Sequence, residues 1–139
     1  MNKERLRQYS AIKKEIRSIR QQLEEVAAEM YAPKKIRLTG LPSQKGTNNE
    51  QMERLILKQE KLIENYYQQL SKLTDERAAI EQALTELPLT ERTVLRCHYL
   101  DGKTWEEVCL IVGYSWRQVH RIHSSALQRL REKEKNKKN

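Results

Sequence analysis

The chain has 139 residues and a formal net charge of +8, with 27 basic against 19 acidic side chains. Only 37% of the residues are hydrophobic and none is phenylalanine, which favours long amphipathic helices with a small head over one large core. No apolar run approaches the roughly 20 residues of a membrane span, and the first ten residues lack a secretory apolar segment. We therefore expect a cytoplasmic protein without membrane partners, in which Cys97 and Cys109 are reduced thiols.

The first predicted element is a helix from about Asn2 to Ala32. Its apolar residues recur at alternating steps of three and four, the heptad pattern of a coiled coil: Tyr9, Ile12, Ile16, Ile19, Leu23, Val26 and Met30. Leu6 lies one residue outside this register, so the pattern predicts a frayed first turn. Pro33 disfavours helical geometry in the residue before it and ends the helix.

A basic loop over residues 33–48 is predicted next, either without fixed structure or in contact with DNA or a protein partner. The capping-box sequence Thr47-Asn48-Asn49-Glu50 begins a second helix that runs to about Glu86. This helix carries another heptad stripe, which consists of Met52, Ile56, Gln59, Ile63, Tyr66, Leu70, Leu73, Arg77, Ile80, Leu84 and Leu87. The polar members of this stripe either fix register or reach solvent. The stripes can close within one chain or between two chains.

Beyond Pro88 the sequence predicts three shorter helices. Thr90 caps a helix over about Glu91–Leu100, and Asp101-Gly102 forms a turn. Two further capping boxes, Thr104-Trp105-Glu106-Glu107 and Ser115-Trp116-Arg117-Gln118, begin helices that end near Val112 and Glu132.

Two short helices joined by the tight turn Gly113-Tyr114-Ser115 indicate a helix-turn-helix. Gly113 can adopt the positive φ that such a turn requires. We expect four apolar side chains to pack between the two helices, namely Val108, Val112, Val119 and Ile122, beside the small Cys109. The core beneath them is expected to contain Leu95, Tyr99, Leu100, Trp105, Ala126, Leu127 and Leu130.

The expected fold is therefore all-α, with three parts. Residues 1–87 form a helical hairpin or coiled coil, residues 88–132 a helix-turn-helix domain, and residues 133–139 a disordered basic tail.

Positive charge is concentrated in the C-terminal third, which indicates a polyanionic partner. Residues 89–139 hold 11 basic and 6 acidic side chains, a net of +5, against +3 (16 − 13) for residues 1–88. The last helix carries Arg117, Arg121, Arg129 and Arg131 and no acidic residue from Ser115 to Arg131. A helix presents its N-terminal residues to base edges in the major groove. The expected DNA-binding residues are Ser115, Trp116, Arg117, Gln118, His120, Arg121 and Ser124.

Residues 87–131, LPLTERTVLRCHYLDGKTWEEVCLIVGYSWRQVHRIHSSALQRLR, resemble region 4 of sigma-70-type factors, most specifically over GYSWRQVHRIHSSALQRLR. With its long helical N-terminal half, the chain resembles small phage and prophage proteins of Gram-positive bacteria, the RinA- and ArpU-like late transcriptional regulators and related uncharacterised families. The resemblance implies a sigma-70 region 4-like helix-turn-helix in a bacterial host cytoplasm and, at family level, contact with RNA polymerase. It places base recognition on Trp116, Arg117 and Arg121, and DNA backbone contacts on Gln118 and His120.

The chain departs from sigma factors at two of these positions. Trp116 stands where a basic residue is usual and Arg117 where an acidic one is usual, so no preference for the −35 consensus is implied. No counterpart of the sigma regions that bind core polymerase or read the −10 element is visible. We therefore expect a sequence-specific regulator that binds double-stranded DNA as a homodimer or higher oligomer, and not a complete sigma factor.

Two other functions stay open: a DNA-packaging recognition subunit of the small-terminase kind, which forms larger rings, and a coiled-coil adaptor whose head binds protein. Trp116 can also be a packing residue under the turn, and Trp105 is expected in the core. The spacing of His98, His120, His123 and the two cysteines matches no standard zinc finger, so no metal or other cofactor is expected. The sequence has no recognisable phosphate-binding loop and no nucleophile–base set, so we do not expect an enzyme.

Overall fold

The structure is a computed structural model that describes residues 1–32 and 45–138. This part of the chain is all-helical, without a strand. The all-α prediction is confirmed. The helices are α1 (Lys3–Tyr31), α2 (Lys45–Leu84), α3 (Leu89–Leu95), α4 (Trp105–Val112) and α5 (Trp116–Lys138), and a π-helical segment, Arg96–Leu100, continues directly from α3. Within those two ranges, no helix is both long and apolar enough to cross a membrane.

Two helix starts differ from the predicted ones. α2 begins at Lys45, so the last four residues of the predicted loop 33–48 are helical, and the side chains of the capping box at Thr47 and Asn48 lie outside the described residues. α3 begins at Leu89 after Pro88, without a side-chain cap from Thr90. The fixed φ of proline suits the residue before a first helical turn, and the Pro88 carbonyl accepts from the Arg92 amide at 2.9 Å.

The chain divides into two compact units, of which the first joins Met1–Lys14 with Ser71–Asn139. Its larger core cluster combines residues from both segments: Leu6, Tyr9, Ile80, Leu84, Leu87, Leu95, Tyr99, Leu100, Ala126, Leu127 and Leu130. Leu6 is fully buried in this cluster, so the predicted fraying of the first turn is wrong. Polar contacts hold the same helix ends together, since Arg5 pairs with Glu76 at 3.0 Å and Lys13 donates to the Leu100 carbonyl at 2.6 Å.

A second, smaller cluster lies among the helices of the C-terminal head, residues 88–132. Val94, Cys97, Val108 and Val119 are buried in it, and the partly buried Trp105, Cys109, Val112 and Ile122 pack against them. The predicted packing between α4 and α5 is thus confirmed. Trp105 belongs to this cluster and not to the larger one beneath.

The second unit, Glu15–Leu70, carries the middle of the heptad stripes. On α1, Ile16, Ile19 and Val26 are buried. On α2, the stripe residues Met52, Ile56 and Ile63 are between 38% and 40% exposed. The described part of this unit therefore presents apolar side chains of the α2 stripe to solvent.

α5 continues to Lys138, six residues beyond the end predicted at Glu132, where a disordered tail was expected. Ion pairs explain the extension. Lys133 and Lys137 lie 3.7 and 3.6 Å from the Glu86 carboxylate, and Glu134 lies 3.6 Å from the amino group of Met1. These partners come from distant parts of the sequence, so local composition alone suggested a solvated tail.

Candidate nucleic-acid interface

The turn between α4 and α5 fixes the start of α5. Gly113 takes φ +74°, the left-handed conformation, and its amide donates to the Cys109 carbonyl at 2.9 Å, which ends α4. The predicted capping box at Ser115 is present in both directions. The Gln118 amide donates to Ser115 Oγ at 3.3 Å, and the Ser115 amide donates to Gln118 Oε1 at 3.1 Å. These bonds commit Ser115 and Gln118 to capping.

α4 has its own cap at the other end. Thr104 Oγ1 accepts from the Glu107 amide at 3.2 Å, as the sequence predicts. The Glu107 carboxylate accepts from the Thr104 hydroxyl at 3.3 Å, so it contacts the hydroxyl where a complete capping box would bind the Thr104 amide. Both helices therefore begin at residues fixed by side-chain hydrogen bonds.

One face of α5 near its N-terminus is exposed and positively charged. Arg117, Arg121 and Ser124 follow one another at steps of four and three, and all three are exposed. Among the described residues, neither arginine has an ion-pair partner. We call these three residues the exposed α5 face; its two guanidinium groups are free to bind a ligand.

Arg129 differs from the other arginines of α5. Its Nε lies 3.1 Å from Oε1 of the buried Glu91, which also accepts from Ser125 Oγ at 2.9 Å. Arg129 therefore stabilises the packing of α5 on α3, whereas Arg117, Arg121 and Arg131 form no ion pair among the described residues.

Aromatic and histidine rings form a cluster beside the exposed α5 face. The Trp105 ring stacks on His98 with centroids 3.8 Å apart, and it also contacts His123 at 4.7 Å and His120 at 4.9 Å. The sequence-based predictions considered His98 and His123 only as zinc candidates and His120 also as a DNA contact, and they missed this cluster. The available signal was the spacing of His120 and His123 on one helix side, with a tryptophan as the first residue of both α4 and α5.

Trp116 is half-exposed and does not lie under the turn as a packing residue. Its ring contacts His120 at a centroid distance of 4.4 Å. His120 itself is held between Trp116 and Trp105, and its Nε2 is buried without a hydrogen-bond partner in the described part of the chain. Trp116 is thus placed to contact a ligand, whereas His120 acts through ring contacts.

The two cysteines are free thiols. Burial raises the pKa of Cys97, so this thiol stays protonated near neutral pH. Within residues 1–32 and 45–138, no three His, Cys, Asp or Glu side chains are grouped to hold a metal ion.

A model of the family DUF722, described as a protein of unknown function, matches residues 4–132. The chain belongs to the DUF722 family. The matched segment of this DUF722 protein includes the exposed α5 face and nearly all of α1. No curated protein and no solved structure matches the chain.

Proposed function

We propose that this DUF722 protein is a sequence-specific DNA-binding regulator of the phage type, in which α4, the turn and α5 form a sigma-70 region 4-like helix-turn-helix. The observation that carries the proposal is the exposed α5 face. Arg117 and Arg121 lie one helical turn apart, without an ion pair to any residue that the structure describes, directly after a capped helix start. Each guanidinium matches the O6 and N7 acceptors of guanine in the major groove, a contact that contributes roughly 1–3 kcal/mol of discrimination.

The second support is the distribution of acidic side chains. From Ser115 to Arg131 the helix has no carboxylate, so nothing on α5 itself opposes a DNA phosphate in this stretch. The half-exposed Trp116 adds an apolar surface beside the arginines for a thymine methyl or a sugar.

We propose that the protein acts as a homodimer formed through the helical hairpin of α1 and α2. The exposed apolar residues of the second unit support this, because Met52, Ile56 and Ile63 share one heptad stripe and are each more than a third exposed. Changing Ile56 and Ile63 to Glu should dissociate the dimer without loss of helix, as measured by sedimentation and circular dichroism. A wild-type ring of about eight subunits would favour the DNA-packaging alternative.

The test of DNA binding begins with selection of duplexes from a random pool by the wild-type protein. The double variant Arg117→Ala/Arg121→Ala should bind the selected duplex at least about 10-fold more weakly and lose its preference over a scrambled duplex. The matched control is Arg17→Ala/Arg20→Ala, which removes two exposed arginines from α1 in the second unit. If the wild type selects no sequence, or if the Arg117/Arg121 variant keeps full preference, the assignment fails.

A further inference from the structure

The first unit has a second basic surface, in which one side of α1 faces the ring cluster of the head. It is a groove of about 680 Å³, lined by one side of α1 and by residues at the start of α4 and on α5. α1 contributes Lys3, Arg7, Ser10, Ala11 and Lys14 to it. We call this surface the basic groove.

The α1 side of the basic groove is built at helical spacing. Lys3, Arg7, Ser10 and Lys14 follow steps of four, three and four, so they share one face of the helix. The three cations are exposed and form no ion pair among the described residues. Across the groove, Lys103 adds a fourth cation, which is partly neutralised by Glu107 at 3.8 Å. No lining residue is acidic.

Aromatic and histidine rings form the opposite wall. His98, Trp105 and His120 line it, and burial lowers the pKa of His98, which keeps that ring uncharged at neutral pH. Three uncompensated cations facing a wall without carboxylates repel one another unless an anion binds between them. This arrangement suits an extended polyanion better than a small apolar ligand.

His120 connects the basic groove to the exposed α5 face. It lines the groove and contacts Trp116, and it directly precedes Arg121 in α5. A duplex seated on Arg117 and Arg121 therefore lies close to His120, which lines the groove. The position of α1 is fixed for this purpose, because Lys13 donates to the Leu100 carbonyl and Leu6 and Tyr9 are buried in the core.

We propose that the basic groove binds the phosphate backbone of the same DNA duplex, next to the base pairs that α5 recognises, through Lys3, Arg7 and Lys14. This inference rests on the proposed function and extends it. α1 becomes part of the DNA-binding surface, and it contributes affinity without sequence preference, since phosphates are common to all sequences.

The test compares the salt dependence of binding for the full-length wild type and Lys3→Gln/Arg7→Gln/Lys14→Gln on the selected duplex and on a scrambled one. Each neutralised phosphate contributes about 0.9 to the slope of log K against log salt, so the triple variant should have a slope shallower by about 2.7. It should bind both duplexes more weakly, by roughly 10-fold or more at 0.1 M salt, and keep the wild-type preference between them.

Two further variants separate position from net charge. Arg17→Gln/Arg20→Gln/Lys58→Gln removes the same three charges from exposed positions of the second unit, and its slope should stay close to that of the wild type. Ala11→Glu keeps all three cations but places a carboxylate on the groove, and it should weaken binding to both duplexes. Circular dichroism melts confirm that each variant is folded.

The outcomes distinguish the two proposals. If the wild type binds the selected duplex but the groove and control triple variants have equal slopes, the groove proposal is overturned and the proposed function stands. If the wild type binds no duplex, both are overturned. If inorganic phosphate binds the wild type and not the groove variant, while the groove and control triple variants keep equal slopes for the duplex, the groove is a site for free anions and the assignment to duplex backbone is wrong.

Discussion

The Tyr99 hydroxyl and Nε2 of His123 lie 2.7 Å apart in a buried hydrogen bond that joins the π-helical segment to α5. Both side chains are buried, and the two rings stack with their centroids 5.7 Å apart. Burial, assisted by the positive charge of Lys3, lowers the pKa of His123 to about 4. The imidazole is therefore neutral at physiological pH, and its Nε2 can accept from the tyrosine.

This neutral histidine should make the fold sensitive to acid. The pKa of His123 is about 4 in the folded chain and near 6.5 in the unfolded chain, so the unfolded chain takes up the proton first. The free energy of unfolding is therefore highest above about pH 6.5, where His123 is neutral in both states. It falls by up to about 3 kcal/mol as the pH drops toward 4. Urea unfolding between pH 7.5 and 4 measures this loss.

The variant His123→Gln provides the control for the acid effect. It removes the titrating group and should flatten the pH dependence in this window, leaving a smaller slope in the same direction from His98, whose pKa is also lowered by burial. An unchanged slope in His123→Gln would assign the acid sensitivity to other groups.

The ion pair between Arg129 and Glu91 should stabilise the head. Arg129→Met keeps most of the apolar stem but leaves the buried Glu91 carboxylate with Ser125 as its one remaining partner among the described residues, a loss expected to cost about 1–3 kcal/mol in the free energy of unfolding. Arg131→Met, at an exposed residue nearby, should change stability by less than about 0.5 kcal/mol. Equal urea midpoints for the two variants would contradict a role for the ion pair.

Gly113 should resist substitution for a backbone reason alone. A β-carbon at this residue has no atom within 4 Å, so no side-chain clash arises, but its φ of +74° is unfavourable for an L residue. Gly113→Ala should therefore lower the free energy of unfolding by about 1–2 kcal/mol, and Gly113→Asn by less. Thermal melts of the two variants provide the comparison, and equal losses would indicate a cause other than φ.

The head should not fold when it is cut from the rest of the chain. A fragment of residues 88–139 lacks Leu6, Tyr9, Ile80 and Leu84, which cover Leu95, Leu100 and Leu127 in the larger core cluster. We expect it to show little cooperative melting by circular dichroism. Residues 1–14 joined to residues 71–139 by a Gly/Ser linker contain the whole first unit and should melt cooperatively. A cooperative melt of the short fragment would contradict this.

Helix positions were largely predictable because amphipathic period and turn residues are local signals. The starts of α4 and α5 followed from Thr104 and Ser115, whose hydroxyls reach only three residues ahead. The end of α4 followed from Gly113, since few other residues adopt its φ. The exposure of Arg117 and Arg121 followed from the same helical periodicity.

Features that depend on distant partners were not predictable. Leu6 lies outside the heptad register, yet it is fully buried in a core cluster that combines residues of α2 and of the head. The sequence indicated a free cation at Arg129, but in the fold Arg129 forms an ion pair with Glu91 of α3. The basic groove is formed by one face of α1 together with residues of the head. These parts are far apart in the sequence, which does not indicate that they pack side by side.

The packing of Leu6 and Tyr9 against residues 95–130 also has a consequence for the order of folding. These contacts span most of the sequence, and closing so large a loop is expected to slow the search for the native state. During synthesis on the ribosome, the first turns of α1 can complete their packing only after α5 has emerged. Until then we expect the core around Leu6 and Tyr9 to be incomplete, with apolar side chains available to chaperones.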